Sequence, residues 1–448
     1  MFRRIVPAAL LIAALSAGTV GLRAARPRLP AAPPASPLAP GFYSDDPVLT
    51  GYVRAALDVN PAVQEALARA QAAGQQIAMA STLPDPMLTF GQSLRSVETR
   101  VGPQLNSYTL SQSLPWFGKL DLRGKVAAQG AEAAQARYVM RQRDIIAQVK
   151  EAYDNLGYVD AALGITREEQ ALLDHYEQVA RDRYATGQGL EQGVIKLQAE
   201  LTQIVSRLDL LQQQRVSLAA SLNTLMARDP SATIPPVAVL KLPAPPPLGL
   251  DQLYALGNAH RPDLQGVSAL IAGDRSAIDL AKKNFWPDLT LSAGFINIGR
   301  RGDPAGLAQP PPDNGKNALT VMAGFTLPIH RDTYRADVTR AADTLSSDEF
   351  QRTDVRNQMT FTIRDEVVRL QTLREQVRLF TDVLLPQTDQ ELRASEAAYE
   401  NGQLGLLDLL DSERSRLSVR LINARNVADY LVALARLEHA VGTAFPEK

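Results

Sequence analysis

The side chains that ordinarily carry chemistry are scarce in this chain and scattered. The histidines, His175, His260, His330 and His439, stand far apart, and none belongs to a pair spaced like metal ligands or a catalytic relay. Cysteine is absent, which removes disulfides, thiolate metal sites, cysteine nucleophiles and lipid attachment through an N-terminal cysteine together. No phosphate-cradling glycine loop occurs. The tripeptide Arg301-Gly302-Asp303 sits in a loop so rich in those residue types that chance accounts for it. Catalysis, metal binding and a cofactor therefore find no support. The residues with a physical message are the only two tryptophans, Trp116 beside Phe117 and Trp286 beside Phe285. Tryptophan belongs where an apolar medium meets water, because its ring is apolar and its N–H is not.

Stretches of period two position these aromatics. Residues 87–94 set Leu88, Phe90 and Leu94, with Gln92, against Thr89, Gly91 and Ser93, and a loop over 95–106 follows. Just before Trp116, Tyr108, Leu110 and Leu114 oppose Thr109, Ser111 and Ser113. After Trp286, Leu289, Leu291, Ala293 and Phe295 oppose Thr290, Ser292 and Gly294. Beyond a loop over 299–316, Leu319, Val321, Ala323, Phe325 and Leu327 share one face. This alternation predicts four strands, each with one apolar and one small polar side. Their lengths suit a bilayer, which asks for about 9–11 residues per strand and for closure without a free edge. Barrels start at about eight strands, so four from one chain must join those of other copies. Both tryptophans then lie at the same end of the strands.

Long helices occupy most of the remainder. Residues 119–226 contain no proline, and apolar residues recur at steps of four and three: Leu190, Val194, Leu197, Leu201, Ile204, Leu208, Leu211, Leu218, Leu222 and Leu225, with only Arg215 out of type. That period is a left-handed coiled-coil seam. A helix from about 119 to 184, roughly 100 Å long, would return through a turn at Gly187 and Gly189. A second pair spans about 333–439, turning near Gly402, with Leu407, Leu410, Leu417, Leu421, Ala424, Ala428 and Leu431 on its returning seam. Pro386 interrupts its outgoing helix, where the first pair has Ala171. Shorter helices are predicted over 48–57, 61–82 and 262–284.

The order of these elements repeats. Asn60-Pro61 matches Arg261-Pro262, Pro84-Asp85 matches Pro287-Asp288, and Tyr184 to Gly187 matches Tyr399 to Gly402. The expected organisation is a signal peptide at 1–25, a Pro/Ala-rich leader at 26–47, a first repeat at 48–228, a proline-rich connection at 229–250 and a second repeat at 251–445. The 47 basic and 48 acidic residues nearly cancel, which predicts no nucleic-acid partner and no electrostatic membrane patch.

The strand pairs flanked by Leu83-Pro84-Asp85-Pro86 and Leu114-Pro115-Trp116-Phe117-Gly118-Lys119, the hairpin turns and the internal repeat resemble the TolC family of outer-membrane efflux proteins over about 48–442. The resemblance implies a mainly α fold with a transmembrane β-barrel portion: a homotrimer whose chains give four strands each to a twelve-stranded barrel in outer-membrane lipid. Long helical hairpins continue as an α-barrel into the periplasm. It also implies a periplasmic adaptor (membrane fusion) protein and an inner-membrane efflux pump of the RND type as partners, with this chain as their passive exit duct. The mouth of the family is narrowed by aspartate rings whose positions match Asp408 and Asp411, with Tyr399 contributing through its hydroxyl. Gly193 and Leu404 stand where the family would carry an aspartate and an arginine of its closed lock. The segments 83–87 and 115–120 look most like members serving heavy-metal efflux; drugs remain the other cargo. The alternative is a soluble periplasmic coiled-coil scaffold or adaptor that only bridges membranes.

Overall fold

The computed structural model describes residues 46–244 and 248–445. The signal peptide and nearly all of the leader lie outside the described residues. In chain order the elements are α1 (Pro47–Val59), α2 (Pro61–Ser81), β1 (Met87–Gln92), β2 (Glu98–Thr99), β3 (Gly102–Leu114), α3 (Lys119–Ala185), α4 (Glu191–Leu225), α5 (Leu250–His260), α6 (Pro262–Lys283), β4 (Leu289–Ile298), α7 (Pro304–Ala308) and β5 (Ala318–Phe325). The last are α8 (Arg331–Leu379), a π-helical turn (Phe380–Leu384), α9 (Leu385–Glu400) and α10 (Leu406–Val441). Two short helices, a strand pair and a long helical hairpin thus occur twice, in the same order.

The chain divides into two compact units, of which the first holds residues 74–127 and 286–327 and the second all the remaining described residues. The first is an antiparallel sheet of order β1-β3-β4-β5, with β2 folded back on β3. Cross-strand register lines up Phe90, Tyr108, Phe295 and Leu319 in one row, and Thr89, Thr109, Gly294 and Thr320 in the row beside it. Because side chains alternate between faces, the aromatic row and the threonine row look in opposite directions. The apolar face packs on no core: Leu88, Phe90, Leu319 and Val321 are 68, 57, 68 and 82% exposed. Among the described residues both edge strands, β1 and β5, have a neighbour on one side only.

Several boundaries differ from expectation. β1 stops at Gln92 and Leu94 is fully exposed beyond it, since the Gln92 side chain and the Ser93 amide both turn back to the Leu105 carbonyl. The loop expected over 95–106 is largely structured, because Glu98 and Thr99 pair with Pro103 and Gly102 and start β3 early. A short helix, α7, occupies the loop after β4.

In the second unit three apolar clusters hold the helices. The first joins Val53 and Val63 of α1 and α2 to Val149 and Leu156 of α3 and Leu222 of α4. The second joins Leu253 and Leu264 of α5 and α6 to Met359 and Ile363 of α8 and Tyr430 and Leu437 of α10. The third joins the hairpin ends: Leu173, Tyr176 and Leu197 with Leu392, Tyr399, Leu409 and Leu417. The α4 seam is buried at Leu197, Ile204 and Leu222, whereas Leu190 is 77% exposed because it is the residue that opens α4. Leu407 is likewise exposed in the first turn of α10, and burial on that helix begins at Leu409 and Leu410. Arg215 has a specific role at its seam position. Its Nε donates to Asp160 at 2.6 Å and its Nη2 to the Ile234 carbonyl at 3.1 Å, while Asp160 accepts the Val237 amide at 2.9 Å. The exception in the seam thus ties down the segment that leaves the hairpin.

Pro386 interrupts its helix as expected. Its missing N–H and its ring forbid a regular turn. The helix widens into the π turn at Phe380–Leu384 and resumes as α9 with no gap.

Candidate functional site

The two hairpin turns are built alike. Gly187 and Gly402 adopt φ of +74° and +70°, a conformation that a side chain resists. Gly187 N donates to the Tyr184 carbonyl at 3.0 Å and Gln188 N to that of Arg183 at 2.8 Å. The same pair recurs as Gly402 to Tyr399 at 3.0 Å and Gln403 to Ala398 at 2.8 Å. Each is a Schellman motif that satisfies the last carbonyls of the outgoing helix. Gly189 has no left-handed φ; it is needed because a Cβ there would meet the Arg183 Cβ and the Tyr184 amide at 3.1 Å.

Arg183, which sequence reasoning missed, bridges the two turns. Its guanidinium lies over the Tyr399 ring, 4.6 Å from the centroid, and donates to the carbonyls of Tyr399 at 3.0 Å and Glu400 at 2.9 Å. Tyr399 is buried among the hairpin-end cluster, so its ring and carbonyl supply the observed contacts. Tyr184, at the matching place, is exposed instead.

Asp408 and Asp411 are both exposed, and Asp408 lies in the first turn of α10, where the helix dipole favours an anion. The glycine at 193 has a packing reason: a Cβ there would come within 3.0 Å of the Leu406 side chain. An aspartate at 193 would have to displace Leu406. Around these residues the hairpins are tied by ion pairs that link distant parts of the chain. Arg414 pairs with Glu200, which also holds Lys196 at 3.2 Å. Arg416 pairs with Asp389 and Arg420 with Glu168, both at 2.6 Å, and the Tyr176 hydroxyl donates to Glu396 at 2.5 Å. Periodicity could not announce such pairs, since their members lie on different helices.

In the sheet unit, Trp116 and Trp286 stack on each other, ring centroids 5.4 Å apart and planes 11° from parallel. Asp288 accepts the Trp116 amide at 2.8 Å and the Lys119 ammonium at 2.7 Å, and Lys119 also donates to the Trp286 carbonyl at 3.1 Å. The Lys119 side chain is only 4% exposed, so these oxygens must compensate a buried cation. Phe117 is 80% exposed beside the stack, whereas Phe285 packs on Tyr334 of α8 at 5.5 Å. Lys119 closes the Leu114–Lys119 motif and Asp288 is the second repeat's counterpart of Asp85, and neither pattern announces their pairing.

Among the described residues no group of three or more His, Asp or Glu could hold a metal ion, and no helix is long and apolar enough to cross a membrane. Comparison with known proteins supplies the identity. The family model described as outer membrane efflux protein matches residues 52–231 and again 253–443. Nodulation protein T of Rhizobium leguminosarum bv. trifolii is 24% identical over 417 residues, covering 90% of this chain and 86% of that one. The multidrug resistance outer membrane protein MdtQ of Escherichia coli O157:H7 is 26% identical over 338 residues, covering 67% and 66%. The crystal structure of the outer membrane protein VceC of Vibrio cholerae superposes with a TM-score of 0.73 at 19% identity, covering 89% of this chain and 97% of that one. The soluble scaffold is thereby set aside. The chain belongs to the outer membrane efflux protein family: it is a channel protein of the outer membrane with a TolC-like fold, and not an enzyme.

Proposed function

We propose that this protein is the outer-membrane exit duct of a tripartite efflux system, a homotrimer whose sheets close into one twelve-stranded barrel. The observation that carries the reading is the sheet itself. Its apolar face is exposed, its two edges are unpaired and a tryptophan stack marks one end. An exposed apolar face with open edges is unstable in water and in lipid alike until neighbouring copies complete the hydrogen bonding. The hairpin turns at Gly187 and Gly402 form the periplasmic mouth, where Asp408 and Asp411 of three copies ring the pore with carboxylates. A periplasmic adaptor and an inner-membrane pump of the RND type deliver the cargo and the energy. A duct need not bind what it passes, so drug-sized molecules and heavy-metal ions are both admissible; the multidrug name of one relative favours the former.

Single-channel conductance in planar bilayers tests this, comparing the purified protein with Asp408→Ala and Asp411→Ala and measuring oligomeric size in the same detergent. A trimer with cation-preferring current that the substitutions alter supports both duct and gate. A conducting trimer indifferent to them discards the gate and keeps the duct. A protein that never conducts removes the duct.

A further inference from the structure

Two carboxyls near the hairpin ends have no part in the duct as described. Glu169 of α3 and Glu413 of α10 are 4% and 1% exposed. They line one groove of about 400 Å³ with Glu200, Arg207 and Leu417. Both carboxyls belong to the lining of that groove, and neither carboxyl oxygen of Glu413 has a hydrogen-bond donor among the described residues. Most of the neighbouring charges have other partners. From α10, Arg416 makes a long ion pair with Glu413 at 3.6 Å, beyond hydrogen-bond distance, and gives its Nε–H to Asp389 of α9. Arg420 pairs with Glu168 of α3, and Arg414 with Glu200 of α4, which also holds Lys196. Tyr176 of α3 donates to Glu396 of α9, and Arg207 of α4 lines the same groove.

Two buried carboxylates lining one groove, one of them without a donor, repel in a low-dielectric site. One proton between them converts that repulsion into a charge-assisted hydrogen bond. Burial first, and then the Glu413 carboxyl, hold Glu169 protonated well above the usual carboxylate range, with Arg416 and Arg420 offsetting part of the effect.

We propose that Glu169 and Glu413 form a proton latch between the two hairpins of one chain: with a proton shared, α3 and α10 stay together, and without it they part. The latch rests on the reading of the hairpin ends as the moving part of the duct, which requires two packings of the same helices. The joined pair binds one more proton than the parted pair, in which Glu169 returns to ordinary acidity in water. Raising the pH therefore favours the parted state, by up to about tenfold per pH unit between the ordinary and the raised value.

The natural chain has no cysteine, so spin labels can be placed at Ala171→Cys on α3 and Ser415→Cys on α10, both exposed. Distances are read by electron paramagnetic resonance on the full-length protein in lipid nanodiscs, with labelled chains diluted into unlabelled ones. The expected result is a single narrow distance at acidic pH and a growing longer population as the pH is raised. In Glu413→Gln the amide donates to Glu169 without adding a second charge, so the distance stays narrow at every pH; Glu169→Gln behaves alike. A wild-type distance indifferent to pH, or one that moves equally in both glutamine variants, overturns the latch. The distance reads the latch whether or not the protein conducts, so a chain that parts with pH but passes no current would sink the duct and keep the latch.

Discussion

The guanidinium of Arg183, in the last turn of α3, lies 4.6 Å above the ring of Tyr399 and grips the carbonyls of Tyr399 and Glu400 at the end of α9. One side chain from the first hairpin thus caps the outgoing helix of the second. A cation over an aromatic face is worth about 0.5–2 kcal/mol; the Tyr399 carbonyl also accepts the Gly402 amide, and the Glu400 carbonyl is one of those that a helix end leaves without an intrahelical donor.

Arg183→Ala should therefore loosen the second turn before anything else. Amide exchange at Gly402 and Gln403 is expected to rise by roughly tenfold, an opening cost lower by ~1.4 kcal/mol. Arg183→Lys should recover only part of the protection, since an ammonium cannot stack on the ring and fork to two carbonyls at once. Unchanged exchange in Arg183→Ala would show that the apolar cluster alone fixes the turn.

Arg215 and Asp160 invite a second test, because leucine at 215 would complete the seam by pattern. The side chains are 18% and 10% exposed. Removing only the arginine leaves a mostly buried carboxylate with a single amide donor from Val237. Breaking such a pair costs about 3–5 kcal/mol, whereas replacing both partners by apolar residues is often neutral. Arg215→Leu should thus lower the thermal midpoint clearly, and Arg215→Leu with Asp160→Leu should restore most of it. A single variant as stable as the wild type would mean that the seam outweighs the tie to Ile234.

These residues also mark how far the sequence could be read. Period-two alternation located all four long strands, and the period of 3.5 located α4 and α10, because burying one face is the demand that both patterns record. It failed at Leu190 and Leu407, where the chain is still turning and an apolar residue has nothing to pack on. Arg215 was legible only as an anomaly. The roles of Arg183, Lys119 and the Glu169–Glu413 pair were not legible at all, because each depends on a partner from another helix or strand brought near by the fold. Asp408 and Asp411 could be placed on a helix face, but a pore needs copies that one chain does not contain.

Asp154 offers a pH test away from the hairpin ends. It is buried, and desolvation raises its carboxyl from 3.8 to about 8, with Lys150 lowering it and Glu151, Glu438 and Asp46 raising it further. The folded chain therefore keeps a proton that the unfolded chain gives up above the ordinary value. Stability contributed by this group is present in acid and is lost as pH rises from about 4 towards about 8, by at most ~1.4 kcal/mol per unit. Asp154→Asn, which cannot ionise, should show a flatter decline of the unfolding midpoint over that interval. Parallel pH profiles for the two proteins would count against a buried neutral Asp154.

The tryptophan stack gives the most direct measure of where the sheet lies. Trp116 and Trp286 are the only tryptophans, so fluorescence reports on this corner alone. Trp286 is 54% and the adjacent Phe117 80% exposed in the single chain, an aromatic surface that water tolerates poorly and the headgroup zone of a bilayer favours. In vesicles of brominated lipid, quenching should be strongest when bromine sits near the headgroups and should weaken with bromine at the chain ends. Lys119→Met tests the support of that arrangement, since Asp288 then keeps only the Trp116 amide and loses its buried cation. The corner should loosen and the depth dependence blur. Absence of quenching at any depth in the wild-type protein would place both rings outside the bilayer, and the barrel reading would fail with it.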